Sequence, residues 1–156
     1  FQEFFDKLMS VFKSWLVPTE YKVCITEIDE GLKKFGLHQV AFKKTQHIEI
    51  SRGYRFENSA GKSVGLSGDT DYCQGMIELG READLMILEC AMPDEEKIAG
   101  HLVPSLAGKL AQATDCKTLC LTHFYPPCDF DVMRKTISAL YNGELVLARD
   151  LMQFEL

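Results

Sequence analysis

Residues 64–72 read VGLSGDTDY, an apolar strand-like run that ends at the carboxylate of Asp69. Two later runs have the same form: ADLMILEC reaches Glu89 at its end, and KTLCLTHF reaches His123. Buried strands of α/β proteins carry functional groups where they emerge at their carboxyl ends. These three runs therefore predict an α/β fold in which polar side chains from separate strand ends can converge on one point.

The elements predicted around residues 64–72 form a single unit. Sequential strands, paired as neighbours, are expected to fill the first half, and strand–helix alternation predicts a sheet with covering helices in the second half. Helices are predicted at 1–16, 73–83, 101–114 and 129–141, and strands at 21–28, 38–44, 48–58, 62–68, 83–90, 117–124 and 143–150. Pro104 must then lie in the first helical turn, where its missing N–H is harmless.

Length and composition limit the function classes. The 156 residues have the size of one domain, and no apolar run is long enough to span a membrane. The net charge of -6 disfavours a nucleic-acid surface, since phosphate binding depends on Lys and Arg. The six cysteines form no CxxC pair, and this predicts reduced, mostly buried thiols in a cytoplasmic protein rather than a zinc knuckle.

Two readings of the strand-end residues remain open from the sequence pattern. Asp69 and His123, with water, are a suitable ligand set for Zn, Mn or Fe. Asp69 could equally be a turn residue whose carboxylate bonds nearby backbone N–H groups. His47 and His101 could be ligands or ordinary surface histidines, and His38 is interpreted as structural.

Five motifs in order, HIEISRGYRF, VGLSGDTD, ADLMILECAMPDE, GHLVPSLAGKLA and LCLTHFYPPCD, carry a family resemblance. Together they resemble the C-terminal half of a metallo-β-lactamase-fold hydrolase on the ribonuclease Z-like branch. The resemblance covers essentially residues 1–156. It implies half of an αββα sandwich, a mixed β-sheet with covering helices.

The resemblance also implies roles for five residues. His47 binds one metal, Asp69 bridges two divalent metals, and His123 binds the second. His101 assists catalysis, and we hypothesise that Glu89 orients it. The metals expected are zinc, with manganese or iron as alternatives.

The family's His-x-His-x-Asp-His loop, which supplies most metal ligands, does not occur in this sequence. We therefore expect a single domain over residues 1–156 that lacks the N-terminal half. Taken alone, this chain is expected to bind metal weakly and to catalyse little or nothing.

The implied reaction of the complete enzyme is metal-assisted hydrolysis, in which a bridging hydroxide attacks a phosphorus or carbonyl centre. Only 21 residues separate His47 from Asp69, too few for the tRNA-grasping arm of tRNA-maturing relatives. We thus expect a small-molecule substrate (a phosphodiester, lactone, sulfate or thioester), without tRNA or membrane partners. The alternative is a non-catalytic half-fold, a structural or oligomerisation module. In either case, an exposed sheet face predicts homodimers or other self-association.

Overall fold

Seven strands form one sheet in the computed structural model, which describes the backbone of residues 1–156 and every side chain except that of Ser14. The strands are β1 (Gly31–Phe35), β2 (His38–Lys44), β3 (Arg52–Glu57), β4 (Ser63–Leu66), β5 (Leu85–Glu89), β6 (Thr118–Thr122) and β7 (Glu144–Leu147). The helices are α1 (Gln2–Phe12), α2 (Gln74–Gly80), α3 (Pro104–Thr114) and α4 (Phe130–Ser138), with short 3-10 turns at Lys13–Trp15 and Asp94–Glu96.

The strand order in the sheet is the order of the sequence, β1 to β7. Strands β1 to β4 pair antiparallel, and β4 to β7 pair parallel through crossovers that contain α2, α3 and α4. The predicted mixed sheet with covering helices is confirmed. Because β4, β5 and β6 are parallel, their carboxyl ends lie at one edge of the sheet.

The core lies between the helices and one face of the sheet. Strands β5 and β6 contribute apolar side chains that are almost entirely buried, as expected for central parallel strands. Among the fully buried side chains are Met76, Met86, Leu88, Leu110, Leu119, Leu121, Met133 and Ile137. This core fixes the strand ends from which the polar residues emerge.

The opposite face of the sheet has far less cover. Gly53 faces α2, so its neighbours Tyr54 and Phe56 on β3 point the other way, together with Leu66 of β4. Phe56 and Leu66 are 44% and 37% exposed, and helix α1 has no buried residue. An open apolar face is what the half-sandwich interpretation predicts, whereas self-association through it stays a prediction.

One predicted strand is wrong. Residues 21–28 alternate like a strand but lie outside every strand of the sheet and are mostly exposed. The edge of β2 is instead paired with residues 31–35, which the sequence did not indicate. The reason is local: a two-residue hairpin, with Gly36 at φ +59, brings β1 directly onto β2. Alternation alone does not make a strand when a nearer segment takes the edge.

The remaining elements follow the prediction with shorter ends. Pro104 begins α3, as expected, so His101 lies in the loop before the helix rather than in its first turn. Asp129 caps α4 by accepting bonds from the backbone N–H groups of Asp131 and Val132. All six cysteines are free thiols, of which Cys90, Cys116 and Cys120 are buried. No helix among the described residues has the length and apolar character needed to cross a bilayer.

Candidate metal centre

Five predicted site residues come together at the carboxyl edge of the sheet. Asp69 follows β4, Glu89 ends β5 and His123 follows β6 directly. His47 lies in the loop after β2, a strand that runs parallel to β4 because two antiparallel pairings separate them. His101 reaches the same edge from the loop before α3. Residues 76 positions apart in the chain therefore meet because of the sheet topology.

The Asp69 carboxylate lies between two histidines. Its Oδ2 atom is 4.0 Å from His47 Nε2, and its Oδ1 atom is 3.8 Å from His123 Nε2. His101 joins them, because Asp69, His101 and His123 each offer a ligand atom within 4.8 Å of the others. The rings of His101 and His123 are stacked, with their centroids 5.8 Å apart. The His47 ring lies edge-on to His101, with a centroid distance of 4.9 Å.

Glu89 supports His101 from beneath the site. Its side chain is 2% exposed and accepts a 2.8 Å bond from His101 Nδ1. The backbone N–H groups of Thr70 and Ala91 also donate to its carboxylate, at 2.9 and 3.2 Å. Burial raises the pKa of Glu89, and these donors partly oppose that rise by stabilising the charged form. With Nδ1 committed to Glu89, the Nε2 atom of His101 is the one free for the site.

The loops around the site are tied together by residues that the sequence analysis missed. Asp71 Oδ2 accepts bonds from Lys97 Nζ at 2.5 Å and from the N–H of Gly100 at 3.2 Å. The N–H of Asp71 in turn donates to the carbonyl of Gln46 at 2.8 Å, next to His47. Only the tertiary structure brings these loops together, so no sequence signal marked Asp71 or Lys97.

The backbone at His123 also shapes the site. His123 adopts φ +63, a left-handed conformation that is uncommon for residues other than glycine. The turn ends β6 and places the imidazole over Asp69, with the Tyr125 ring 5.3 Å from it. A shallow pocket of about 240 Å³ lies beside it, lined by residues that include Ser67, Asp69, Glu89 and His123.

The donor set fits a divalent metal. Zn–N and Zn–O bonds are about 2.0–2.2 Å long, so two ligand atoms 3.8–4.0 Å apart can reach one ion between them. Carboxylate oxygen and imidazole nitrogen suit zinc, manganese and iron alike. The two oxygens of Asp69 face different histidines, one toward His47 and one toward His123.

A mixed sheet with carboxylate and imidazole groups at the ends of its parallel strands is the arrangement expected for the class that the sequence resembles, the metallo-β-lactamase-fold α/β proteins. The sequence matches the family described as "Beta-lactamase superfamily domain" over residues 16–124. This chain belongs to that family.

Relatives agree with the ribonuclease Z-like resemblance. Ribonuclease Z from Streptomyces coelicolor is 33% identical over an alignment of 111 residues, which covers 66% of this chain and 34% of that protein. The crystal structure of the metallo-β-lactamase fold protein YhfI from Bacillus subtilis has a TM-score of 0.75 at 25% identity, over 92% of this chain and 60% of YhfI. The crystal structure of the short form of human tRNase Z has a TM-score of 0.58 at 27% identity, over 77% of this chain and 44% of that protein. The chain thus spans about a third of the bacterial ribonuclease Z that it matches.

Proposed function

We propose that this chain forms part of a metal-dependent hydrolase that cleaves phosphodiester bonds at a two-metal site. The observation that carries the proposal is the position of Asp69 between His47 and His123, with one carboxylate oxygen toward each. A carboxylate in this position can bridge two ions, each also bound by one histidine.

The hydrogen bonds around the site favour a cation there. His47 and His101 each commit Nδ1 to an acceptor, so each turns the lone pair of Nε2 toward the centre. The Asp69 oxygens add further lone pairs at the same place. Acceptors gathered in this way repel one another unless a positive ion lies among them. Metals held there by these residues would supply an acidified water as the nucleophile.

His101 is the residue we assign to proton transfer. Its ring touches those of both His47 and His123, and its Nδ1 atom is held by a buried carboxylate. Glu89 thereby fixes the orientation of the ring. An imidazole held in this way can stabilise the developing negative charge or protonate the leaving group.

The ligand set of residues 1–156 is incomplete for two metals. His47, Asp69 and His123 give three protein ligands, whereas one catalytic zinc alone takes about three. We therefore propose that further ligands come from a His-x-His-x-Asp-His segment outside these residues, and that residues 1–156 alone bind metal weakly and have little activity.

Two observations bear on the substrate. Several relatives are ribonucleases Z, which favours a phosphodiester over a lactone, sulfate or thioester. Residues 48–68, however, form a short turn, the β3–β4 hairpin and the residues that follow it. This leaves no room for a tRNA-grasping arm at that position. We propose a small phosphodiester rather than a precursor tRNA.

The test is a hydrolysis panel on the protein made from its natural coding region, beside residues 1–156 alone. Zinc- or manganese-loaded protein should cleave a chromogenic phosphodiester such as bis(p-nitrophenyl) phosphate faster than lactone, sulfate or thioester probes and precursor tRNA. Calorimetric titration should show two metals per chain in the complete protein. A preference for another probe would refute the proposed phosphodiester substrate, and the absence of metal binding would refute the proposed metal site.

The second candidate is a non-catalytic oligomerisation module, favoured by the exposed Phe56 and Leu66 on the open sheet face. It requires that residues 1–156 associate when metal is absent. Sedimentation of the chain in EDTA, with Phe56→Lys as the test variant and Lys109→Glu on α3 as a surface control, distinguishes this candidate. A wild-type monomer would exclude it.

A further inference from the structure

The backbone N–H and carbonyl groups of Gly100 connect Asp71 to His47 beside the metal centre. Its N–H donates to Asp71 Oδ2 at 3.2 Å, and its carbonyl lies 3.1 Å from His47 Nδ1. Gly100 adopts φ +86, and a Cβ built there would lie 3.0 Å from His47 Nδ1. A larger residue would therefore be strained by its backbone conformation and crowded by the imidazole.

The bond between Gly100 and His47 determines which imidazole nitrogen carries the proton. A carbonyl oxygen can only accept a hydrogen bond, so Nδ1 of His47 must be the donor. The neutral ring then has its lone pair on Nε2, the atom 4.0 Å from Asp69 Oδ2. Which nitrogen of a histidine can bind a metal is set by the bond that the other nitrogen makes.

Asp71 is the residue that holds Gly100 in place. One oxygen of Asp71 accepts the Gly100 N–H and the ammonium of Lys97, and the other accepts the N–H of Tyr72 at 2.8 Å. Lys97 Nζ also donates to the carbonyl of Ile98 at 3.0 Å, which closes the loop against Asp71. With side chains 22% and 29% exposed, the Asp71–Lys97 pair is more sheltered than the Lys43–Glu78 pair of β2 and α2, at 38% and 41%.

We propose that Asp71 is a positioning residue that selects the tautomer of His47 through the Gly100 peptide. Its carboxylate fixes the orientation of that peptide, so that the carbonyl keeps the proton on Nδ1 and leaves Nε2 free to bind metal. The part that concerns metal affinity rests on the proposed role of His47 as a ligand. The effect of Asp71 on the tautomer of His47 does not depend on that role.

Nitrogen-15 NMR of the imidazole rings tests the link without any metal. In metal-free wild-type protein above pH 8, neutral His47 should show the pattern of a ring protonated at Nδ1. In Asp71→Ala the loop loses its anchor, and His47 should change to a mixture of both tautomers. Asp71→Asn retains an oxygen that can accept the Gly100 N–H, so it should largely restore the wild-type pattern. Glu78→Gln, which removes the Lys43–Glu78 pair, should leave His47 unchanged.

Metal affinity is the second measurement. Calorimetric titration with Zn²⁺ or Mn²⁺ alone should show binding about 10- to 100-fold weaker in Asp71→Ala than in wild type. Glu78→Gln should bind like wild type. Lys97→Met should lose less than Asp71→Ala, because Gly100 can still donate to Asp71.

The outcomes are distinct. A His47 ring protonated at Nε2 in the wild type overturns the inference with no variant needed, and an unchanged tautomer in folded Asp71→Ala does the same. If the tautomer changes as expected but the wild-type protein, in its complete form, binds no metal, the proposed metal site fails while the link from Asp71 to His47 is supported.

Discussion

Asp69 and Asp84 are carboxylates at opposite ends of the same sheet, and their surroundings differ completely. Asp84, which precedes β5, accepts bonds from Lys117 Nζ at 2.7 Å, the Ser63 N–H at 2.9 Å and Lys62 Nζ at 3.4 Å. Hydrogen bonds from Lys117 and Ser63 lower the pKa of Asp84 from 3.8 to about 2. Asp69 instead faces the imidazoles of His47 and His123 at about 4 Å.

The comparison separates a carboxylate that is paired within the protein from one that is a proposed metal ligand. At Asp84 the protein supplies the positive charge itself, so the group is paired as soon as the chain folds. At Asp69 the neighbours are two imidazoles that carry no positive charge when neutral, so a bound cation would supply the counter-charge. Substitutions at the two positions should therefore affect different properties.

The largest effect is expected from Asp69→Ala. Loss of the group that faces both histidines should lower zinc or manganese affinity at least about 100-fold and abolish turnover in the complete protein. The free energy of unfolding in EDTA should change by no more than about 0.5 kcal/mol, because the side chain is 45% exposed. Metal content by elemental analysis and urea unfolding measure the two properties. Full metal content in the variant would contradict the bridging role.

His101→Ala should affect rate more than metal content. Removal of a proton-transferring group costs roughly 10²- to 10⁴-fold in kcat. The metal should stay bound, since His47, Asp69 and His123 remain. Steady-state kinetics with elemental analysis on the same sample gives both values. Glu89→Gln, which keeps the His101 ring, should lower kcat less than His101→Ala. Loss of metal in His101→Ala would mean that His101 is a ligand.

Asp84→Asn should have the opposite effect to Asp69→Ala: a lower free energy of unfolding and an unchanged metal affinity. The substitution removes the charge shared by Lys62 and Lys117 and weakens the bond from the Ser63 N–H. Both lysines remain partly exposed, so the expected loss is about 1–2 kcal/mol in the free energy of unfolding. Urea unfolding measures this, and metal affinity should match that of wild type. A change in metal affinity would mean that the two ends of the sheet are coupled.

The smallest effect is the pH dependence of that stability difference. The pKa of Asp84 is lower in the folded state, so its contribution is complete above about pH 4 and is lost as the pH falls toward about 2. The difference between wild type and Asp84→Asn should therefore be constant from pH 5 to 7 and shrink between pH 4 and pH 2. Unfolding curves collected across this range test it, and a difference that is as large at pH 2 as at pH 6 would exclude the charge as its source.

Part of this structure could be predicted from sequence because the signals are local. Asp69, Glu89 and His123 each end an apolar run, and parallel strands place their ends at one edge. His47 and His101 carry no such signal, and only the family resemblance drew attention to them. The contacts of Asp71 depend on three loops meeting, which no local pattern encodes. Residues 21–28 illustrate the opposite error, a strand-like pattern whose place beside β2 is taken by the nearer residues 31–35.

The sheet order has a consequence for biosynthesis. Since each strand pairs with the one made just before it, the sheet can grow one strand at a time as the chain leaves the ribosome. The polar residues would be added in the order His47, Asp69, Glu89, His101 and His123. Capture of an ion by the proposed ligands His47, Asp69 and His123 must then wait until His123 has emerged after β6, which makes it a late event in the maturation of the nascent chain.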